Sequence, residues 1–424
     1  METMNEYIPF LVLYIALFII IEKRFLHFSI FSPWAITNAV WLMINLGLMF
    51  YGNLLLPLKG SFCLSIFLWI LGFNVFSLLT YNLVNHHNHY HREWVVNYRV
   101  FYLLFIIAVI FTPIYLFKVY HTVGNLSDGA FADLRQEAVF GHHDYGFISR
   151  VQLFDQALLI LAMINLKRVN KWVLGVLILF NIFISLSIAE KGSILFLLIV
   201  IAYVLYKQKY IKVKHLVIVA LCIVLLFWGM NVMRSKTGGT SLDSFLMLYV
   251  LSPSVGFDEL KVSINGLFGE NTFPAFYKLC NTLFGTNYEV IPKMKDYTFV
   301  PFMVNVYTIM QPFYQDWGYM GVLFFSCIFG TITGFYYKKS YGNSIVMKCT
   351  YVFLVYILVT QFFQDNFFIS ISEFFQFTII FLVSSKIVEK DVPGICITNS
   401  GNRNCLSAQM DILVSPKNSC IERT

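Results

Sequence analysis

The chain has 424 residues, of which 58% are hydrophobic, 18% aromatic and only 12% charged. That is too little charge to solvate the surface of a soluble globule, so the composition fits a bilayer as the solvent. A backbone in lipid must satisfy its own hydrogen bonds, and long apolar runs without alternation select helices over a closed barrel. The formal net charge of +7 serves orientation first in such a chain and does not imply nucleic acid.

In chain order, about 11 apolar runs approach spanning length, over residues 8–26, 33–52, 61–84, 98–118, 147–166, 171–189, 191–206, 213–232, 317–337, 345–362 and 368–386. The leading METMNEY has no basic region and no small-residue cleavage site, so the first run is expected to be a retained span. Lys23 and Arg24, Arg92 and Arg99, Lys167 with Arg168 and Lys171, Lys207 through Lys214, and Lys338 with Lys339 and Lys348 mark alternate connections. Basic residues are held on the cytoplasmic side. The register therefore puts the N-terminus outside and the C-terminus inside, with residues 119–146 and 233–316 as two large extracytoplasmic loops. Within the second loop, stretches 244–257 and 297–310 are too short to cross and are expected to be re-entrant or interfacial. The expected organisation is a membrane-embedded domain over 1–390 and a polar cytoplasmic tail over 391–424.

No internal repeat is visible, which weighs against transporters built from duplicated halves. Of eight cysteines, Cys280 alone falls in a candidate outer loop, so no disulfide framework is indicated.

Candidate chemistry concentrates on the outer side. The first loop holds a single arginine, Arg135, among Asp128, Asp133, Glu137 and Asp144. Its guanidinium fork matches phosphate oxygens, although a helix-surface pair with Asp133 or Glu137 reads equally well. His142, His143 and Asp144 can supply a base near neutrality. Arg150, Lys191, Arg234 and Lys236 sit where apolar runs stop, either as snorkelling anchors or as a cluster suited to a pyrophosphate at headgroup height. The aromatics of the second loop, among them Tyr249, Phe273, Tyr277, Tyr307, Tyr314 and Trp317, suit sugar faces and an interfacial belt alike. On the cytoplasmic side NHHNHYHRE offers His86, His87, His89 and His91, with no Cys or Asp ligands to complete a metal site.

Two segments carry a family resemblance. NVYTIMQPFYQDWGYMG, from Asn305, contains an Asn-x-Tyr-Thr stretch and then Asp316-Trp317-Gly318 with Gly321 three residues on. Upstream, Gly269-Glu270-Asn271-Thr272-Phe273 is a Gly-x-x-Thr-Phe element. Both resemble the signature of bacterial O-antigen polymerases (Wzy), the oligosaccharide repeat-unit polymerases, with Trp317 in place of the usual Phe. Arg135, ten residues and Gly146 reproduce a loop spacing of that family. Arg234 does not, because Phe245 stands where the second Gly would fall.

The resemblance implies an all-α, polytopic, GT-C-like glycosyltransferase of the bacterial inner membrane, serving lipopolysaccharide or related polysaccharide biosynthesis. It would polymerise undecaprenyl-diphosphate-linked oligosaccharides at the outer face, without cofactor or metal, and a chain-length regulator is a further candidate partner. Arg135, Arg234, Lys191 and Asp316 are the expected catalytic residues; Arg150, Lys236, His143, Gly146, Tyr307, Thr308 and Gly318 are expected to bind substrate. The general base stays open among Asp316, Glu190 and His143. An O-antigen ligase, a lipid-linked oligosaccharide flippase and a non-catalytic envelope scaffold are the competing readings.

Overall fold

A computed structural model describes residues 7–25, 29–84, 92–123, 146–187, 191–234, 247–263, 266–292, 295–301 and 303–389. The chain is α-helical. Helices α1 (Tyr7–Phe25), α2 (Pro33–Tyr51), α3 (Ser61–Leu83), α4 (Tyr98–Val123), α5 (Val151–Ile164), α6 (Lys171–Ser187), α7 (Lys191–Lys207) and α8 (Val213–Arg234) follow one another. After α8 come two short helices, α9 (Ser252–Asp258) and α10 (Pro274–Phe284), then α11 (Gln311–Ser340), α12 (Ile345–Thr360) and α13 (Ile371–Val383). A helix thus occupies each apolar run read from the sequence. Four are long and apolar enough to cross a membrane: Pro33–Tyr51, Ser61–Leu83, Tyr98–His121 and Gln311–Ser340.

The basic connections gather at one end of the bundle. Phe31, between α1 and α2, packs on Tyr203 and Tyr206 at ring-centre distances of 5.0 and 5.1 Å, and its carbonyl accepts from Tyr351. Asn343 after α11 donates to Glu93 before α4 at 2.6 Å. Gln208 after α7 donates to the carbonyls of Met163 and Ile164 at 3.0 Å. Lys207 lies 3.9 Å over the Tyr341 ring. Two strands that periodicity did not signal, β1 (Arg92–Val96) and β4 (Ser385–Glu389), pair antiparallel at this same end. Because consecutive helices alternate direction, the described residues between 247 and 310 fall at the other end.

In lipid, helices gain little from apolar burial against each other, so close backbone approach and buried hydrogen bonds hold the bundle. Helices α3 and α11 supply the first. A Cβ on Gly330 would stand 2.5 Å from the Phe73 carbonyl oxygen, and one on Gly334 2.4 Å from that of Ser77. Gln361 supplies the second from a fully buried position. Its Oε1 accepts from the Trp41 and Trp69 indoles at 3.0 and 3.2 Å, and its Nε2 donates to Thr37 Oγ1 and the Leu358 carbonyl. The whole capacity of the amide is used.

Of the two short apolar stretches in the second loop, residues 252–258 form α9, buried among other elements with Phe257 against Phe62. The other holds a small hairpin, β2 (Thr298–Phe299) with β3 (Met303–Val304). The tail from 390 onward lies outside the described residues.

Candidate functional site

At the end opposite the basic loops, the two motif segments form one bonded unit. Asp316 Oδ1 accepts from the Asn271 backbone N–H at 3.2 Å and from Asn271 Nδ2 at 2.9 Å. Asp316 Oδ2 accepts from the Thr272 N–H at 2.9 Å and from Thr272 Oγ1 at 2.7 Å. Two donors per oxygen occupy the carboxylate fully. The Gly-x-x-Thr-Phe element is therefore the turn that docks on the aspartate of Asp-Trp-Gly, which explains why the two belong together.

The glycines of both elements have backbone reasons. Gly318 has φ 62° and ψ −146°, breaking α11 just after its first turns, in a region that L side chains rarely adopt. Past this break the chain runs back against itself, and a Cβ on Gly321 would lie 2.4 Å from the Phe313 carbonyl oxygen. Gly269 also has positive φ, 67°. Trp317 fills the space beneath, stacked on Phe325 at 5.2 Å and edge-on to Phe268 and Phe273.

Tyr307 and Thr308 serve the same framework. The Tyr307 hydroxyl donates to the Asp296 carbonyl at 3.0 Å and shares a hydrogen with Thr298 Oγ1 at 2.8 Å, fixing the start of the hairpin. Thr308 is fully buried, its hydroxyl has no partner among the described residues, and its carbonyl accepts from Gln311. Next to it, the Ile309 N–H donates to the Gln361 carbonyl at 2.8 Å. The motif is thus tied to the glutamine that knits α2, α3 and α12. Asp258 adds a second tie: its carboxylate accepts from the Lys59 and Phe62 backbone N–H groups at the start of α3, where a helix N-terminus favours negative charge.

The cations are distributed as follows. Arg150 ends a short turn, Gly146–Arg150, and is exposed. Gln152 donates to Ser193, so the starts of α5 and α7, which carry Arg150 and Lys191, are adjacent. Arg234 closes α8 at this same end. Arg135, His143 and Lys236 lie outside the described residues, as do Glu190 and the histidines of NHHNHYHRE.

One participant escaped sequence reading. Lys295 Nζ donates to Asn271 Oδ1 at 3.0 Å, on the far side of the amide that Asp316 holds. Burial pushes this lysine down to about 8, against the opposing pull of Asp316, Glu270 and Asp296. A loop lysine in IPKMKDY carries no pattern that marks it. Its environment is assembled from the turn at 269–273, the hairpin, the start of α11 and the break between α12 and α13. In that break the Asp365 carboxylate accepts from the N–H groups of Phe367, Phe368 and Ile369.

With this geometry in view, the chain is 25% identical over 215 residues to the Escherichia coli (strain K12) protein named "Putative O-antigen polymerase". It is a distant relative of that protein. The match covers 50% of this chain and 54% of the other, so the chain spans about half the length of the relative it matches. The resemblance read from the motifs is borne out at that level. No family model matches the chain, and no solved structure does.

Proposed function

We propose that the protein joins lipid-diphosphate-linked oligosaccharide repeat units into a longer chain, at the face of the bacterial inner membrane opposite its basic loops. The observation that carries this reading is the Asp316 junction, which makes one built unit of the two polymerase-like motifs at that end of the bundle. The name of the distant relative supports it. In the reaction the growing chain leaves its carrier diphosphate, undecaprenyl diphosphate by the family resemblance, and passes to a hydroxyl of the incoming unit. Negative charge develops on the departing diphosphate, and cations placed to meet it act most strongly in the transition state. Arg150, Lys191 and Arg234 share the required end, and the reading assigns the same role to Arg135, which lies outside the described residues. Asp316 organises the site from within; its oxygens are already engaged.

Deleting the gene is expected to leave surface polysaccharide with a single repeat on its core, seen as one short band on a gel. Loss of every repeat would point instead to a ligase or a flippase. In the deletion strain, complementation with Arg135→Ala or Arg234→Ala is expected to cut chain growth about 100-fold each, the scale of losing one charge-stabilising donor. Arg→Lys should fail as well, because a point charge does not reproduce a bidentate fork. Normal ladders from both alanine variants would remove these arginines from the site.

A further inference from the structure

A polar cleft opens where the hairpin, the start of α11 and the α12–α13 break meet. It is lined by Lys295, Asn305, Tyr307, Gln311, Gln364 and Asp365, with Val306 and Ile369. Its free volume of about 10 Å³ admits one water-sized group. A sugar hydroxyl has that size, and a phosphate does not. Charge agrees with size: the Lys295 ammonium faces Asp316, Glu270 and Asp296, and Asp365 lines the same cleft. One cation among those carboxylates leaves a negative surrounding that repels a diphosphate and tolerates a neutral hydroxyl.

Three of these four carboxylates, all but Asp296, already hold donors. Asp316 accepts from Asn271 and Thr272, Asp365 from three backbone N–H groups, and Glu270 from Leu267 N–H and Ser263 Oγ. The Tyr307 hydroxyl is bonded on both sides and burial raises its pKa. Lys295 differs. Among the described residues its nitrogen makes one hydrogen bond, to Asn271 Oδ1. Asp316 fixes the direction of that bond, because it takes Asn271 Nδ2 and so turns the amide oxygen toward the lysine. As a neutral amine Lys295 would keep that donation and have a lone pair for the cleft.

We propose that Lys295 is the general base of the transfer, taking the proton of the acceptor hydroxyl that enters this cleft. The proposal rests on the polymerase reading. The hydroxyl oxygen bonds to the anomeric carbon of the lipid-linked chain, and that carbon's bond to the diphosphate oxygen breaks. The electron pair leaves with the carrier diphosphate, and the hydroxyl proton passes to Lys295 Nζ, which releases it to water before the next cycle. With burial holding the group near 8, about one molecule in ten carries the neutral amine at pH 7, enough for a base whose pKa lies near the working pH.

The test uses the full chain in proteoliposomes with lipid-diphosphate-linked repeat units, and reads kcat/KM against pH. Wild type is expected to rise about tenfold per pH unit up to about pH 8 and then level. Lys295→Arg keeps the charge and the bond to Asn271 but cannot release its proton at these pH values. It should be about 100-fold to 10,000-fold slower and lose that limb. Lys295→Ala should be comparably slow and recover part of its rate with added ethylamine. Rates near wild type with the limb intact in either variant would overturn the proposal. If wild type itself shows no transfer, the polymerase reading fails. Whether the cleft is a hydroxyl site beside Lys295 is then tested separately by acetic anhydride labelling of Lys295, followed by mass spectrometry. Half-maximal labelling near pH 8, blocked by the released repeat-unit oligosaccharide, supports the site. Labelling that follows the ordinary lysine value of 10.5, or that the oligosaccharide does not protect, overturns it.

Discussion

Asp316→Asn is expected to reduce chain growth by 100-fold or more while the bundle still inserts and folds. An amide presents one acceptor oxygen where the carboxylate presents two. At least one side of the junction would then face its donors with an NH2 group, whichever way the amide turned. The Asn271 side needs two acceptances at 3.2 and 2.9 Å, and the Thr272 side two at 2.9 and 2.7 Å. A hydrogen bond to a charged acceptor contributes about 1.5–3 kcal/mol, so losing two frees the turn from the start of α11. With the turn goes the direction of Asn271 Oδ1, and with that the seat of Lys295. The accompanying structural readout is limited proteolysis, which should cut faster within residues 266–292 in the variant than in wild type. Unchanged ladder length and unchanged cleavage together would show that the junction does not hold the site.

The second large effect is on stability. Gly330→Ala and Gly334→Ala each place a methyl about 2.5 Å from backbone oxygen on α3, and backbone cannot rotate out of the way. Overpacking of this kind costs about 1–3 kcal/mol, and leucine at either position should prevent accumulation of folded protein. Gly72→Ala is the internal control. There the nearest atom is the Ser326 hydroxyl at 2.1 Å, which can turn aside, so the loss should be smaller. Thermal unfolding of the three variants in one detergent measures the order. A Gly72 variant less stable than both others would contradict the close helix approach as the cause.

Much of this architecture is legible in the sequence because the bilayer imposes one-dimensional rules. Runs of apolar residues must be helices, and basic residues must alternate, so Arg92, Lys167, Lys207 and Lys338 announce a common end before any contact is known. The contacts of Phe31, Glu93, Gln208 and Tyr341 then realise that end physically. Local backbone demands are legible for a related reason: Gly318 and Gly321 record a reversal and a close approach in the residue type itself. The small residues Ser326, Gly330 and Gly334, spaced by four, also carried a signal for close helix packing, one that reading for spans and charges passes over.

By itself, then, the sequence determined a helical membrane chain, the side on which its basic loops gather, and two segments resembling those of a polymerase. Tertiary structure alone decided that these segments are one unit, because the partners of Asp316 lie 44 and 45 residues away and a carboxylate carries no record of its donors. It alone decided the place of Lys295. A lysine's pKa and reach follow from what surrounds it, and that surrounding is brought together by four separate parts of the chain.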